Sequence, residues 1–185
     1  MASSSSGEAM EKLSVHEYFR QPETLRPMEL VYGVVREPAR PNYEHQRLAT
    51  RLIARLHAHV EHTGIGEILA PMDVVLDDKA ALVVQPDIVF VSHDRRAIIK
   101  ERIWGAPDLV VEISSPSTAR RDRTIKLGWF RQYGVRECWL IDVRSRSVEV
   151  IELQSTTPAR MFSGTQPIRS AVLPDWAVEA EHIFD

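Results

Sequence analysis

The chain has 185 residues, 44% hydrophobic and 26% charged, with a formal net charge of −3 at pH 7. That length suits one domain whose core needs no disulfide or structural metal, and the slight negative charge argues against a DNA-coating role, which would neutralise many phosphates at once. The single cysteine, Cys138, lies in an apolar run, so we expect a buried thiol and no disulfide framework of the secreted kind. Because no apolar stretch is long enough for a membrane span and the N-terminus is unlike a signal peptide, we expect a cytoplasmic protein.

The N-terminal part of the chain predicts a tail followed by short elements. We expect a disordered Ser-rich tail over residues 1–12 and a single domain over 13–185. A short helix should follow Ser14, which opens a capping box. Residues 28–36 predict either two strands or one strand bent at Gly33.

The remaining elements predict an α/β (α+β) domain. A long helix is predicted over about 43–62 and a second over about 119–133. The apolar residues that share one face of the first helix are Leu48, Ala49, Leu52, Ile53, Leu56 and Val60. The predicted strands cover 67–77, 83–92, 107–115, 137–143 and 148–153, the last alternating as an edge strand would. This order indicates one mixed β-sheet flanked by helices.

Two carboxylates occupy strand positions where the pattern is otherwise apolar. Glu112 has apolar residues on both faces of its strand, and Asp87 begins the preceding strand. A carboxylate in such a place must be protonated, paired or bound to metal, because an isolated buried charge is too costly. If the two strands are neighbours, the carboxylates could converge within about 4–5 Å across the ladder. We expect nearby Asp108 to cap or orient the entrance of its strand rather than to bind metal.

A lysine and a histidine are the corresponding exceptions on the two long helices. On a helical wheel Lys126 lies in the middle of the apolar stripe of the second helix, and His45 lies on the core-facing side of the first. A structural ion-pair network is the alternative interpretation of Lys126 and the carboxylates, although buried pairs of this kind add little stability. A hydrogen-bonded core histidine is the alternative for His45. The other helical histidines, His57, His59 and His62, are expected to be solvated, and a metal pair of the last two is disfavoured.

Several motifs together resemble a known family. The runs Gln85–Ser92 and Ala106–Thr118 are similar to two motifs of the Uma-two family, whose members are described as restriction endonucleases. Arg121–Arg123, Lys126 and Gly134–Asp142 continue the resemblance in the same order, which extends over nearly the whole chain. The resemblance implies the fold of the PD-(D/E)XK nucleases, a core sheet flanked by helices with the site on two adjacent strands.

The resemblance also implies roles for individual residues. Asp87 is the motif aspartate, and Glu112 is the acidic residue of the second strand. Ser114 stands where the usual lysine would be, and Lys126 is its migrated replacement on the following helix. The family also tends to carry a histidine where His45 stands. These assignments give the candidate catalytic residues.

The implied activity is metal-dependent hydrolysis of phosphodiester bonds. Asp87, Glu112 and the backbone carbonyl of Ile113 offer hard oxygen ligands suited to Mg²⁺ or Mn²⁺. Lys126 would orient water or neutralise developing negative charge. The substrate is expected to be nucleic acid, DNA rather than RNA, and a homodimer is expected because cutting a duplex needs two sites. The residues expected to reach neighbouring phosphates are Arg120, Arg121 and Arg123.

The chain departs from the family pattern at one place, and three other functions are the alternatives to a nuclease. The family usually has Asp-Gly-Glu where this chain has Tyr32, Gly33 and Val34, so a glutamate that could assist metal binding is missing. The first rival is a nucleic-acid- or protein-binding module that keeps the nuclease fold without cleavage. A small-molecule α/β enzyme is disfavoured because the sequence has neither GxGxxG nor GxSxG. A purely structural role would show indifference to metal.

Overall fold

The computed structural model describes residues 12–22, 24, 26–114 and 120–185, with side chains from Thr124 onward in the last range. Residues 1–11 of the predicted tail lie outside the described residues. The helices are α1 (Val15–Phe19), α2 (Tyr43–Thr63), α3 (Arg120–Tyr133) and α4 (Glu181–Phe184), with a 3-10 helix over His93–Ile98. The strands are β1 (Glu29–Val31), β2 (Val34–Arg36), β3 (Gly66–Leu69), β4 (Val74–Asp77), β5 (Leu82–Val84), β6 (Ile88–Ser92), β7 (Ile103–Trp104), β8 (Leu109–Ser114), β9 (Glu137–Asp142), β10 (Ser147–Glu152) and β11 (Arg160–Ser163).

These strands form two mixed sheets flanked by helices, which confirms the α+β class. The smaller sheet has the order β2-β1-β5-β4-β7, with β4 and β7 parallel. The larger has the order β11-β10-β9-β8-β6-β3, with β8 and β9 parallel and β6 antiparallel to β8. No helix in the described part of the chain combines the length and apolarity that a membrane span requires.

The sequence-based expectation of a single sheet was wrong because two predicted strands are each divided between the sheets. The run 67–77 breaks around Pro71, and the run 83–92 breaks at Pro86, so β3 and β6 join the larger sheet and β4 and β5 the smaller. A proline lacks the N–H group that a central ladder position needs. The expectation that 148–153 is an edge strand was also wrong, because β11 pairs with the outer side of β10.

The larger sheet has an apolar layer on each of its faces. On one face Leu109 and Val111 of β8 join a buried cluster with the apolar stripe of α2. On the other face Val110 of β8 joins Trp129 and Phe130 of α3 and residues of the smaller sheet. The expectation that β8 is covered on both sides is therefore confirmed.

The hairpin of β1 and β2 is connected by a tight turn at Tyr32 and Gly33. Both residues have positive φ, 52° and 86°, as a two-residue type I′ hairpin turn requires. A Cβ atom on Gly33 would also lie 2.9 Å from the Cβ of Lys12, so the turn needs glycine for space as well as conformation. The resulting register places Glu29 of β1 directly opposite Arg36 of β2.

Asp108 organises the entrance of β8, as the sequence predicted. Its carboxylate is fully buried, accepts a hydrogen bond from the Ser92 N–H (2.8 Å), and forms ion pairs with Arg136 (3.0 Å) and Arg95 (3.3 Å). Burial alone would raise the pKa of Asp108, but the hydrogen bonds from Ser92 and Arg136 and the charge of Arg95 prevail, and the pKa is lowered. The carboxylate therefore fixes the start of the strand that carries Glu112.

Asp108→Asn should destabilise the protein by about 1–3 kcal/mol near neutral pH, because it removes a charged acceptor from a buried set of donors. Since the folded-state pKa lies below the unfolded value, the stabilisation is present above about pH 4 and is lost as the pH falls through the folded pKa. Urea unfolding of both proteins at about pH 7 and about pH 3 checks this expectation. The difference in unfolding free energy should shrink at the lower pH, and an equal difference at both would contradict the assignment.

Candidate active site

A cavity of about 1090 Å³ opens where β8 ends and β6 begins. Its inner wall carries the four side chains that the sequence singled out as catalytic candidates: Asp87, Glu112, Lys126 and His45. Other parts of the lining come from β1, β2, the segment before β1 and the loop that leads into α2, whose charged residues are exposed except for Glu29. The fold therefore brings together residues from two strands and two helices at one end of the larger sheet.

Asp87 is held in place by hydrogen bonds to both of its carboxylate oxygens. Oδ2 accepts from the Ile113 N–H at 2.7 Å, and Oδ1 lies 3.1 Å from Nε2 of His45. The backbone N–H of Asp87 donates to the Val111 carbonyl (3.1 Å), so the β6–β8 ladder continues one step past the paired strands and sets Asp87 opposite Glu112. Both carboxylates line the cavity.

His45 lies in the first turn of α2, which begins after the capping residue Asn42. The Asn42 side chain accepts from the backbone N–H of His45 at 2.9 Å, which fixes the turn that aims the ring at Asp87. The side chain is 12% exposed, and its Nδ1 atom is buried without a partner among the described residues. Burial alone would lower the pKa of His45, but the hydrogen bond to Asp87 and the charges of Asp87 and Glu112 outweigh burial. The net effect is a raised pKa.

Lys126 lies between two carboxylates from different sheets. Its Nζ atom is 2.9 Å from Oε1 of Glu29 and 3.1 Å from Oε1 of Glu112. Burial alone would lower the pKa of Lys126, but the charges of the two carboxylates outweigh burial. The net effect is a raised pKa. Burial raises the pKa of Glu112 to about 7, although the charge of Lys126 opposes that rise.

Glu29 is the site residue that sequence reasoning missed. It is 5% exposed in β1, whose three residues are all buried, and its Oε1 also accepts from the Gln85 N–H at 3.1 Å. The available signal was a carboxylate within an apolar strand, the same signal that identified Asp87 and Glu112. A strand of three residues is too short for its alternation to identify an inward face.

The inner end of the cavity carries more negative than positive charge. Among the side chains that the structure describes, three carboxylates, Asp87, Glu112 and Glu29, face one ammonium, Lys126, which gives this group a formal charge of −2, or −1 when His45 is protonated. The rise in the pKa of Glu112 reflects this imbalance in part, because Asp87 and Glu29 both raise it. A divalent cation would balance the excess.

The donor set at this end fits a hard divalent cation. Asp87 and Glu112 supply carboxylate oxygens, and Ile113 supplies a backbone carbonyl beside them, as Mg²⁺ or Mn²⁺ prefers. In the described part of the chain, only Glu179, Glu181 and His182 bring three histidine or carboxylate ligand atoms within 4.8 Å of one another; the two glutamates are half-buried and His182 is exposed. The candidate site would thus rely on two carboxylates, a carbonyl and water.

Of the other predicted residues, Ser114 also lines the cavity, whereas Tyr32, Val34 and His59 do not. The Ser114 hydroxyl donates to the Ile141 carbonyl at 3.0 Å, so it does not replace a catalytic lysine. The Tyr32 ring meets that of Trp129 at 5.9 Å. The side chains of Arg120, Arg121 and Arg123 lie outside the described residues. The expectation that His59 is solvated was wrong, because its ring packs edge-on against Trp176 at 5.4 Å.

Comparison with known proteins agrees with the fold. The sequence model of the Uma2 family, described as "Putative restriction endonuclease", matches residues 15–181. The crystal structure of a putative nuclease belonging to DUF820 from Anabaena variabilis ATCC 29413 is similar, with a TM-score of 0.78 and 18% sequence identity over 93% of this chain and 97% of that chain. No curated protein matches the sequence.

Lys126→Met should destabilise the protein by about 3–5 kcal/mol at neutral pH, because it leaves two largely buried carboxylates without their counter-ion. Glu29→Gln should cost less, since Lys126 keeps Glu112 and the amide oxygen can still accept from Gln85. Urea unfolding measures both, with Lys79→Met at an exposed lysine as the matched control. A Lys126→Met variant as stable as the control would mean that the ammonium does not neutralise this cluster.

Proposed function

Because the chain belongs to the Uma2 family of restriction-endonuclease-like proteins, we propose that it is a divalent-metal-dependent nuclease that hydrolyses phosphodiester bonds, with DNA as its substrate. The observation that carries this proposal is the excess negative charge of the buried cluster, counted over the side chains that the structure describes. A structural ion-pair network would gain from equal numbers of opposite charges, whereas a cation site requires the surplus. Mg²⁺ or Mn²⁺ is the proposed cofactor, held by Asp87, Glu112 and the Ile113 carbonyl.

The bound cation would supply stabilisation of the negative charge that develops on the phosphate and would make water a better nucleophile at neutral pH. The chain's own residues would prepare the site for that chemistry. The Ile113 N–H and His45 hold Asp87 in one orientation. Lys126, anchored by Glu29, presents a fixed positive charge beside Glu112. Such preorganised charge favours a transition state that is more negative locally than the ground state.

His45 and Glu29 are proposed as positioning residues rather than as groups that react. His45 contacts Asp87 through Nε2, and its Nδ1 atom is buried without a partner among the described residues, so the ring would act by holding Asp87. Glu29 contacts Lys126 and the Gln85 N–H, and thereby fixes the ammonium. A homodimer, a cytoplasmic location and a single domain over residues 13–185 stay predictions.

Mg²⁺ or Mn²⁺ at about a hundredfold excess over its dissociation constant should stabilise the wild type by about 2.7 kcal/mol, which corresponds to roughly 5–10 °C in Tm. Asp87→Asn should lose this shift, yet in EDTA it should be no less stable than the wild type, because it removes one of the surplus charges. Differential scanning fluorimetry with and without metal checks both parts. The control is Asp94→Asn, at an exposed carboxylate outside the cavity, which should keep the shift. A metal shift retained in Asp87→Asn would remove Asp87 from the ligand set.

Lys126→Arg should lower Mg²⁺-dependent nicking of plasmid DNA by about a hundredfold or more, because a planar guanidinium does not replace a compact ammonium between two carboxylates. It should keep more stability than Lys126→Met, since the positive charge remains. Nicking rate and Tm measured on the same preparations separate an enzyme from a scaffold. A wild type that nicks neither strand with any divalent metal would favour the non-catalytic binding module.

A further inference from the structure

The charges that line the cavity are separated along its depth. The inner end has three carboxylates and one ammonium, as described above. The exposed charged residues of the lining, which form its outer rim, have the reverse excess among the described residues, with Arg26, Arg36 and Arg40 against Glu37. Three guanidinium groups and one carboxylate give this outer rim a formal charge of +2. A polyanion whose phosphate bound a cation at the inner end would therefore also lie against the positive charge of the outer rim.

Arg36 is oriented toward the cavity by the register of the hairpin. It lies directly opposite Glu29, and residues opposite each other in an antiparallel pair share a face of the sheet. Glu29 contacts Lys126, so Arg36 lies on the same face one strand further out, about 4.8 Å away across the ladder. It is exposed, and its guanidinium has no ion pair or hydrogen bond within the described part of the chain. A long, unpaired cation is thus available at the edge of the site.

Arg40 adds a second free cation on the same rim. It lies in the loop between β2 and α2, is exposed, and also lacks a partner among the residues described. The third arginine, Arg26, is instead paired with Glu37 at 3.2 Å, so its charge is largely neutralised. Of the arginines described on this rim, Arg36 and Arg40 therefore remain free to meet a ligand.

We propose that Arg36 and Arg40 form a phosphate-binding subsite for the nucleic-acid backbone that flanks the reacting phosphodiester, an inference that rests on the proposed nuclease function. Successive phosphates of one strand rise by about 3.4 Å along a duplex axis, so phosphates next to one held at the inner end lie within reach of the two guanidinium groups. Arginine recognises phosphate through paired N–H donors. Contacts of this kind position the strand and carry no base information.

The test compares Arg36→Gln, Arg40→Gln and the double variant with Arg55→Gln as a matched control. Arg55 is likewise exposed and without a partner in the described structure, but it lies on α2 outside the cavity. Binding of fluorescein-labelled oligonucleotides, single-stranded and duplex DNA and single-stranded RNA, is measured by anisotropy in EDTA over a series of salt concentrations. Nicking kinetics in Mg²⁺ are measured on the same proteins.

Each rim variant should weaken binding by about fivefold and reduce the slope of log K against log salt by about 0.7–0.9, whereas the control changes neither. The loss should be the same for DNA and RNA of one length, and KM should rise while kcat is kept. Arg36→Lys should retain the salt slope, because the charge remains. Glu37→Gln should strengthen binding, since it releases Arg26 and removes a negative charge from the rim.

The outcomes distinguish this subsite from the nuclease proposal. Wild-type nicking with rim variants that behave like the control would overturn the subsite and leave the nuclease function intact. Loss of binding in the rim variants without any metal-dependent nicking would support the subsite and overturn the nuclease. Losses confined to one base sequence, or a wild type that binds none of the oligonucleotides at low salt, would overturn the subsite.

Discussion

The double ion pair of Lys126 is the interaction on which the site depends, because it joins three elements that are distant in sequence. Glu29 comes from β1 of the smaller sheet, Glu112 from β8 of the larger sheet, and Lys126 from α3, which packs between them. An ammonium among apolar residues such as Trp129 and Phe130 is tolerated only with anionic partners. The need for these partners therefore constrains the position of α3, which must bring Lys126 to the edge where the two sheets meet.

The described side chains of this cluster carry unequal numbers of opposite charges, which is the basis of the proposed cation site. Asp87, which immediately precedes β6, lies opposite Glu112 of β8, and Glu29 adds a third carboxylate, whereas the described residues bring one lysine, Lys126, to this group. Protonation of Glu112, whose pKa is raised to about 7, and of His45, whose pKa is also raised, can relieve part of the repulsion. Such uncompensated charge lowers the stability of the folded state. Proteins commonly keep destabilising arrangements of this kind at functional sites and lack them elsewhere.

The sequence predicted the parts of this arrangement that break a long periodic pattern. Lys126 and His45 were found because helices of 14 and 21 residues define an inward face. Glu29 was missed because β1 has three residues, too few to show alternation. The division into two sheets was missed for a different reason: apolar runs on either side of Pro71 or Pro86 read as one strand, and only tertiary pairing assigns the halves to separate sheets.

The different exposure of the two groups of charges reconciles an acidic chain with the proposed polyanionic substrate. A formal net charge of −3 would repel nucleic acid if the charges were spread evenly, but the rim and the inner end carry opposite excesses. Within a Debye length of about 8–10 Å, local charges outweigh the distant ones that set the net value. The register that sets Glu29 opposite Arg36 places both signs on one face of one hairpin. A short turn at Tyr32 and Gly33 thereby fixes both the buried carboxylate of Glu29, which holds Lys126, and the exposed guanidinium of Arg36.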